Sequence, residues 1–122
     1  MSATVEQGRL GRVAVIRLKP NEDLVGGVEA AAAAEGFRHA VVRTAVGSLV
    51  DAALGYGEKG RAAVAGPGIE ILTLAGEIRD GTADLRGTIS DSDARVFGGR
   101  FLPGENPICI TLELVLQEWL PE

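Results

Sequence analysis

The chain has 122 residues, of which 46% are hydrophobic and 24% charged; that is one domain's length and a globular make-up, and it excludes a disordered chain. No apolar run approaches the roughly 20 residues of a membrane-spanning helix, and Met1–Arg9 lack the apolar stretch of a secretory signal. Twelve basic against seventeen acidic residues leave a net charge of −5, the wrong balance for affinity drawn from neutralising phosphates. One cysteine, Cys109, and one histidine, His39, exclude an internal disulfide, a cysteine zinc site and a multi-histidine site within one chain. These absences point to a cytoplasmic protein without membrane contact. Seventeen glycines and only five aromatic residues predict a core of Val, Ile, Leu and Ala, whose small neighbours suit tight sheets and subunit contacts.

In chain order, residues 1–9 read as a flexible N-terminus and 10–122 as a single domain. Leu10–Leu18 form a strand. Val13, Val15 and Arg17 face one way and Ala14, Ile16 and Leu18 the other. Both faces are largely apolar, so cover on both sides is expected. Pro20 ends the strand. Asn21 is placed to cap a helix, with Glu22 and Asp23 where its dipole favours negative charge. Leu24, Val25, Val28, Ala31 and Ala32 make the helix's buried stripe. Gly26-Gly27 weaken it, which close packing on a sheet explains. Gly36 is placed to end the helix, with Phe37 closing a Schellman contact.

Strands follow over residues 40–46 and 49–56, with Gly47-Ser48 marking a bend between them. Residues 57–68 are rich in glycine and read as loop or irregular edge. Ile69–Arg79 alternate, Ile69, Ile71 and Thr73 against Glu70, Leu72 and Leu74. Asp80-Gly81 signals a hairpin, and Asp84–Ser90 return as its partner strand. Asp91-Ser92-Asp93 make a turn, and Val96-Phe97 begin a short strand. In the last strand Ile108, Ile110, Leu112, Leu114 and Leu116 share one face. The sum is an α+β fold, a mostly antiparallel sheet of about six or seven strands with one main helix. One helix cannot cover both apolar faces of such a sheet, and self-association is the economical cover.

Four stretches in order carry a family resemblance: Arg17-Leu18-Lys19-Pro20-Asn21-Glu22-Asp23-Leu24, Val46-Gly47-Ser48-Leu49 through Leu54-Gly55-Tyr56, Ile69–Ile78, and Val96-Phe97-Gly98-Gly99-Arg100-Phe101-Leu102-Pro103-Gly104. Over residues 10–120 the chain resembles the plants-and-prokaryotes conserved (PPC) domain in its stand-alone prokaryotic form. The resemblance implies a homotrimer and, through the label such proteins carry, a DNA-associated or regulatory role. No Arg-Gly-Arg-Pro hook is present to read a minor groove. Many stand-alone members also show a His-x-His pattern and a later Gly-Gly-His that together look like a metal site. The matching positions here are Asp84, Arg86 and Arg100, so no metal and no cofactor are expected.

Asp84 and Arg86 share a strand face, and the resemblance brings Arg100 to the same place. Two guanidiniums can hold a carboxylate or phosphate through paired hydrogen bonds; the competing explanation is an internal Arg–Asp ion pair. No catalytic residue is nominated: there is no nucleophile elbow, and no second histidine to activate Cys109, which reads as a small buried thiol. His39 reads as a surface or capping residue, and Asp91-Ser92-Asp93 as an Asx turn rather than a cation site. Gly55-Tyr56-Gly57 and Gly66-Pro67-Gly68 lack the ending of a phosphate loop. The leading reading is a PPC-type homotrimer with a DNA-associated role and weak intrinsic DNA affinity, because three such chains carry −15. The alternatives are a small-anion-binding module or degenerate enzyme built on Asp84, Arg86 and Arg100, and a purely structural trimeric scaffold.

Overall fold

The computed structural model describes residues 2–122. Strand β1 (Gly8–Leu18) precedes helix α1 (Leu24–Ala34), followed by β2 (Ala40–Leu49), β3 (Ala52–Tyr56), β4 (Gly60–Val64), β5 (Ile69–Arg79), β6 (Thr82–Ser90), β7 (Val96–Phe101) and β8 (Ile108–Pro121). All eight lie in one antiparallel sheet of order β1-β8-β2-β5-β6-β7-β3-β4. The strand beyond the expected six or seven is β4, within the glycine-rich stretch read as loop. It pairs only with β3 and forms a sheet edge, where a short strand of small residues needs no apolar alternation. β2 runs through Gly47-Ser48 to Leu49, so no bend separates strands there.

The helix starts two residues later than Asn21 suggests. Asn21 has φ 68° and turns the chain. Asp23 is the cap, and its carboxylate accepts from Gly26 N–H at 2.9 Å. The same carboxylate accepts from Gly104 N–H and Asn106 N–H at 2.9 and 3.0 Å, tying the helix start to the β7–β8 loop. At the other end Gly36 (φ 75°) donates to Ala33 O and Phe37 to Ala32 O. This is the Schellman pattern, and it buries Phe37. Gly27 meets Leu18 so closely that a Cβ would lie 2.9 Å from its side chain.

Leu24, Val25, Val28 and Ala32 pack with Ile16, Leu18, Ile71, Leu74, Ile78, Leu85, Ile89, Phe101, Leu112, Leu114 and Leu116 into one core. Two bulges alter the expected faces. Between Ile71 and Thr73 the β5–β6 register shifts, so Leu74 joins Ile71 in the core while Leu72 and Thr73 turn outward. Between Gly47 and Leu49 the partner on β8 jumps from Leu112 to Ile108. The residues taken up by that jump bulge out, which leaves Ile110 73% exposed and Cys109 exposed rather than buried.

The sheet face turned away from α1, which includes the second apolar face of β1, is left uncovered by the described residues of the chain itself. Val13, Val15 and Val46 are 58%, 71% and 65% exposed there. Among the described residues Asn106 is the buried polar residue of the core, with no exposed surface. Its amide accepts from Ala53 N–H at 2.9 Å and donates to Ala53 O and Leu102 O at 3.2 and 2.9 Å, pinning β3 to the β7–β8 loop. Among the described residues no helix is long and apolar enough to cross a membrane.

Candidate functional site

The side-chain period of 2 puts Leu85 and Ile89 of β6 in the core and sends Asp84, Arg86 and Thr88 to the opposite face. β6 lies between β5 and β7. On one side Ala75 faces Arg86 and Thr73 faces Thr88; on the other Arg100 faces Arg86 and Gly98 faces Thr88. Beyond Arg100 lies Gly55 of β3. A cleft of about 520 Å³ opens here, lined by Tyr56, Thr73, Arg86, Thr88, Gly98 and Arg100 among others.

Asp84, Arg86 and Arg100 are thus brought to one place, though not on equal terms. The Asp84 carboxylate accepts two bonds from Arg86, Nε to Oδ1 and Nη2 to Oδ2, both 3.1 Å. These bonds hold the Asp84 carboxyl below its ordinary value; desolvation opposes them, and the nearby Arg86 and Arg100 charges add to the lowering. They also raise Arg86. Arg100 makes no ion pair among the described residues. Its two terminal nitrogens reach only Gly57 O, at 3.4 Å each. Like charges directly opposite on neighbouring strands repel, and Arg86 and Arg100 stand in that relation with one carboxylate between them.

Glycine shapes the walls. A Cβ on Gly55 would lie 2.8 Å from Arg100 Nη2, and one on Gly99 would lie 2.9 Å from Tyr56 Cε1. The absent side chain at Gly55 lets the guanidinium lie along β3, and on the opposite face of the sheet the one absent at Gly99 makes room for the Tyr56 ring. At the far side Thr73 Oγ1 and Thr88 Oγ1 are 2.8 Å apart, and Thr73 Oγ1 also accepts from Thr88 N–H at 3.1 Å. Sequence reasoning missed Thr73 and Thr88. Strict alternation put Thr73 beside Ile71, and only the bulge turns it outward.

The donor set does not fit a metal. Guanidiniums cannot ligate one, which leaves the single Asp84 carboxylate, and no cluster of three His, Cys, Asp or Glu suited to a metal occurs among the described residues. His39 Nδ1 accepts from Asp80 N–H at 3.3 Å in the β5–β6 hairpin, a capping role. Asp91 Oδ1 accepts from Asp93 N–H and Arg95 N–H, the Asx turn expected. Burial pushes the Asp91 carboxyl up, but the bonds from Arg95 and Asp93 outweigh it and the net direction is down. Near the termini Glu6 accepts from Trp119 Nε1 at 2.9 Å and from Arg79 at 3.0 Å, which lowers its carboxyl. β1 likewise begins at Gly8, paired with Pro121, two residues before the expected start.

Known proteins share this fold. A hypothetical protein from Salmonella enterica superposes with a TM-score of 0.82 at 27% identity, over 93% of this chain and 80% of that one. A plant- and prokaryote-conserved (PPC) protein from Pyrococcus horikoshii gives 0.86 at 21% identity, over 98% and 87%. A metal-containing protein from Archaeoglobus fulgidus gives 0.82 at 22%, over 98% and 88%. The bifunctional protein GlmU of Synechococcus sp. (strain JA-3-3Ab) is 32% identical over 109 residues; these are 89% of this chain but 17% of that protein. Residues 5–120, from the approach to β1 to the next-to-last residue of β8, match one domain throughout. The chain belongs to the Plants and Prokaryotes Conserved (PCC) domain family.

Proposed function

We propose that this chain is a homotrimeric small-anion-binding module with little affinity of its own for duplex DNA. The observation that carries the reading is Arg100. It faces Arg86 across β6–β7, Asp84 is already engaged by Arg86, and the cleft in front of it is open. A carboxylate or phosphate there would offset the repulsion and take paired bonds from the guanidinium. The Asp84–Arg86 pair is the structural ion pair weighed against a site, and Arg100 is the part of the constellation that such a pair leaves over. Trimerisation is supported by the uncovered valines of β1 and β2, whose exposure a partner copy would remove. A DNA-associated role, which the PPC label implies, finds no physical support in a chain of charge −5.

The test is calorimetric titration of wild type and Arg100→Ala with acetate and inorganic phosphate, beside a mobility-shift assay on duplex DNA. Wild type should bind an anion, and loss of one charge-assisted anchor should weaken it by about 1.5–3 kcal/mol. Anion binding unchanged by the substitution, or none at all, would overturn the reading. Sub-micromolar DNA affinity falling steeply with salt would replace it.

A further inference from the structure

We infer that the ligand of this cleft is a flat organic monocarboxylate carrying a hydrogen-bond acceptor at the end opposite its carboxylate. The inference rests on the anion-binding reading above and narrows it to a chemical class. Charge comes first. Asp84, Arg86 and Arg100 together carry one net positive charge, and Asp84 spends itself on Arg86 through two 3.1 Å bonds. One guanidinium therefore remains for the ligand. A carboxylate matches it in charge and in bidentate geometry. A phosphate monoester, at roughly −1.5 to −2 near neutral pH, would leave excess negative charge beside the Asp84 carboxylate.

Shape comes second. Between Arg100 and the Thr73–Thr88 pair the wall carries nothing larger than a methyl group. Gly98 faces Thr88, Gly99 faces Gly87, and Ala75 stands beside Arg86. Peptide planes without side chains accept a flat apolar body.

The far end comes third. Two threonine hydroxyls share one hydrogen bond at 2.8 Å, and Thr73 Oγ1 already accepts from Thr88 N–H. Of their two hydroxyl protons one is committed, so one is free to donate into the cleft. Thr88 lies on β6 and the Arg100 guanidinium along β3, two strands away and roughly 10 Å across the sheet, a span that a benzene ring with one substituent at each end bridges with a hydrogen bond at either terminus.

The experiment titrates the full chain at neutral pH by calorimetry with acetate, benzoate, 4-hydroxybenzoate, inorganic phosphate and phenyl phosphate, and repeats the series on Arg100→Ala after a melting curve confirms folding. Benzoate should bind roughly tenfold or more tightly than acetate, from apolar burial. 4-Hydroxybenzoate should gain roughly a further fivefold, from one hydrogen bond, both phosphates should bind more weakly than benzoate, and Arg100→Ala should abolish the series. Phosphates stronger than every carboxylate, or acetate equal to benzoate, with binding still lost in Arg100→Ala, would overturn the ligand class and leave the anion reading standing. No binding of any anion, or binding indifferent to Arg100→Ala, would overturn both.

Discussion

Replacing Asn106 by alanine removes the three bonds by which its side chain holds β3 to the loop before β8. They are not equivalent. Ala53 O also accepts from Leu102 N–H at 3.1 Å, and Leu102 O also accepts from Glu105 N–H at 3.3 Å, so each carbonyl keeps a partner. Ala53 N–H has the Asn106 carbonyl at 2.9 Å, and it sits where Ala53 is only 4% exposed. An orphaned buried donor costs about 1–3 kcal/mol, and each lost neutral bond about 0.5–1.5 kcal/mol. Asn106→Ala should therefore lower the unfolding free energy by about 2–6 kcal/mol, read from the urea midpoint at unchanged slope. Asn106→Asp keeps the acceptor but loses both donors and buries a charge against two carbonyls, so it should fold less stably still. Because β3 carries Gly55, along which the Arg100 guanidinium lies, anion affinity should fall in Asn106→Ala as well. A loss below about 1 kcal/mol would show that the amide does not close this junction, and the reasoning that places the cleft wall on it would go with it.

Leu112 has no exposed surface, and Leu112→Ala should cost about 2–5 kcal/mol in the same assay, whereas a loss under about 1 kcal/mol would contradict its burial. The Asp84 carboxyl is lowered by its Arg86 hydrogen bonds. Its stabilising share is therefore fully present above the unfolded value of roughly 3.9 and is lost as pH falls below that through the lowered folded one. Both partners are more than half exposed, which keeps the share below about 1 kcal/mol; Asp84→Asn should flatten that stretch of the stability curve, and a curve unchanged by the substitution would refute the assignment. Light scattering should give a mass near three times 12.7 kDa, and Val15→Lys should reduce it; a wild-type monomer would remove the case for an uncovered sheet face as an interface.

Local signals in the sequence were reliable where one or two residues decide the geometry. Asp80-Gly81 adopt positive φ in the β5–β6 turn, and Gly36-Phe37 close the helix as read. The PPC resemblance was legible in four short stretches, and the match over residues 5–120 bears it out. What failed were readings that assumed an unbroken period. Bulges are set by the partner strand, so neither the outward turn of Thr73 nor the 73% exposure of Ile110 could be counted off a single strand. The cap moved from Asn21 to Asp23 because Asp23 also serves Gly104 and Asn106, more than 80 residues away. The candidate site was half legible. Asp84 and Arg86 share a face by spacing alone, but the placement of Arg100 directly opposite Arg86 depends on cross-strand register.

The central claim is that Arg100, and not Arg86, receives the anion. Nitrogen-15 spectra that resolve the arginine Nε–H groups, assigned by Arg100→Lys and Arg86→Lys and followed during titration with 4-hydroxybenzoate, test it most directly. Arg86 Nε–H is held by Asp84, so its signal should move little, while Arg100 Nε–H should shift in a saturable way and sharpen as its exchange with water slows. Saturable movement of Arg86 with Arg100 unmoved, or no saturable movement at either, would contradict the account.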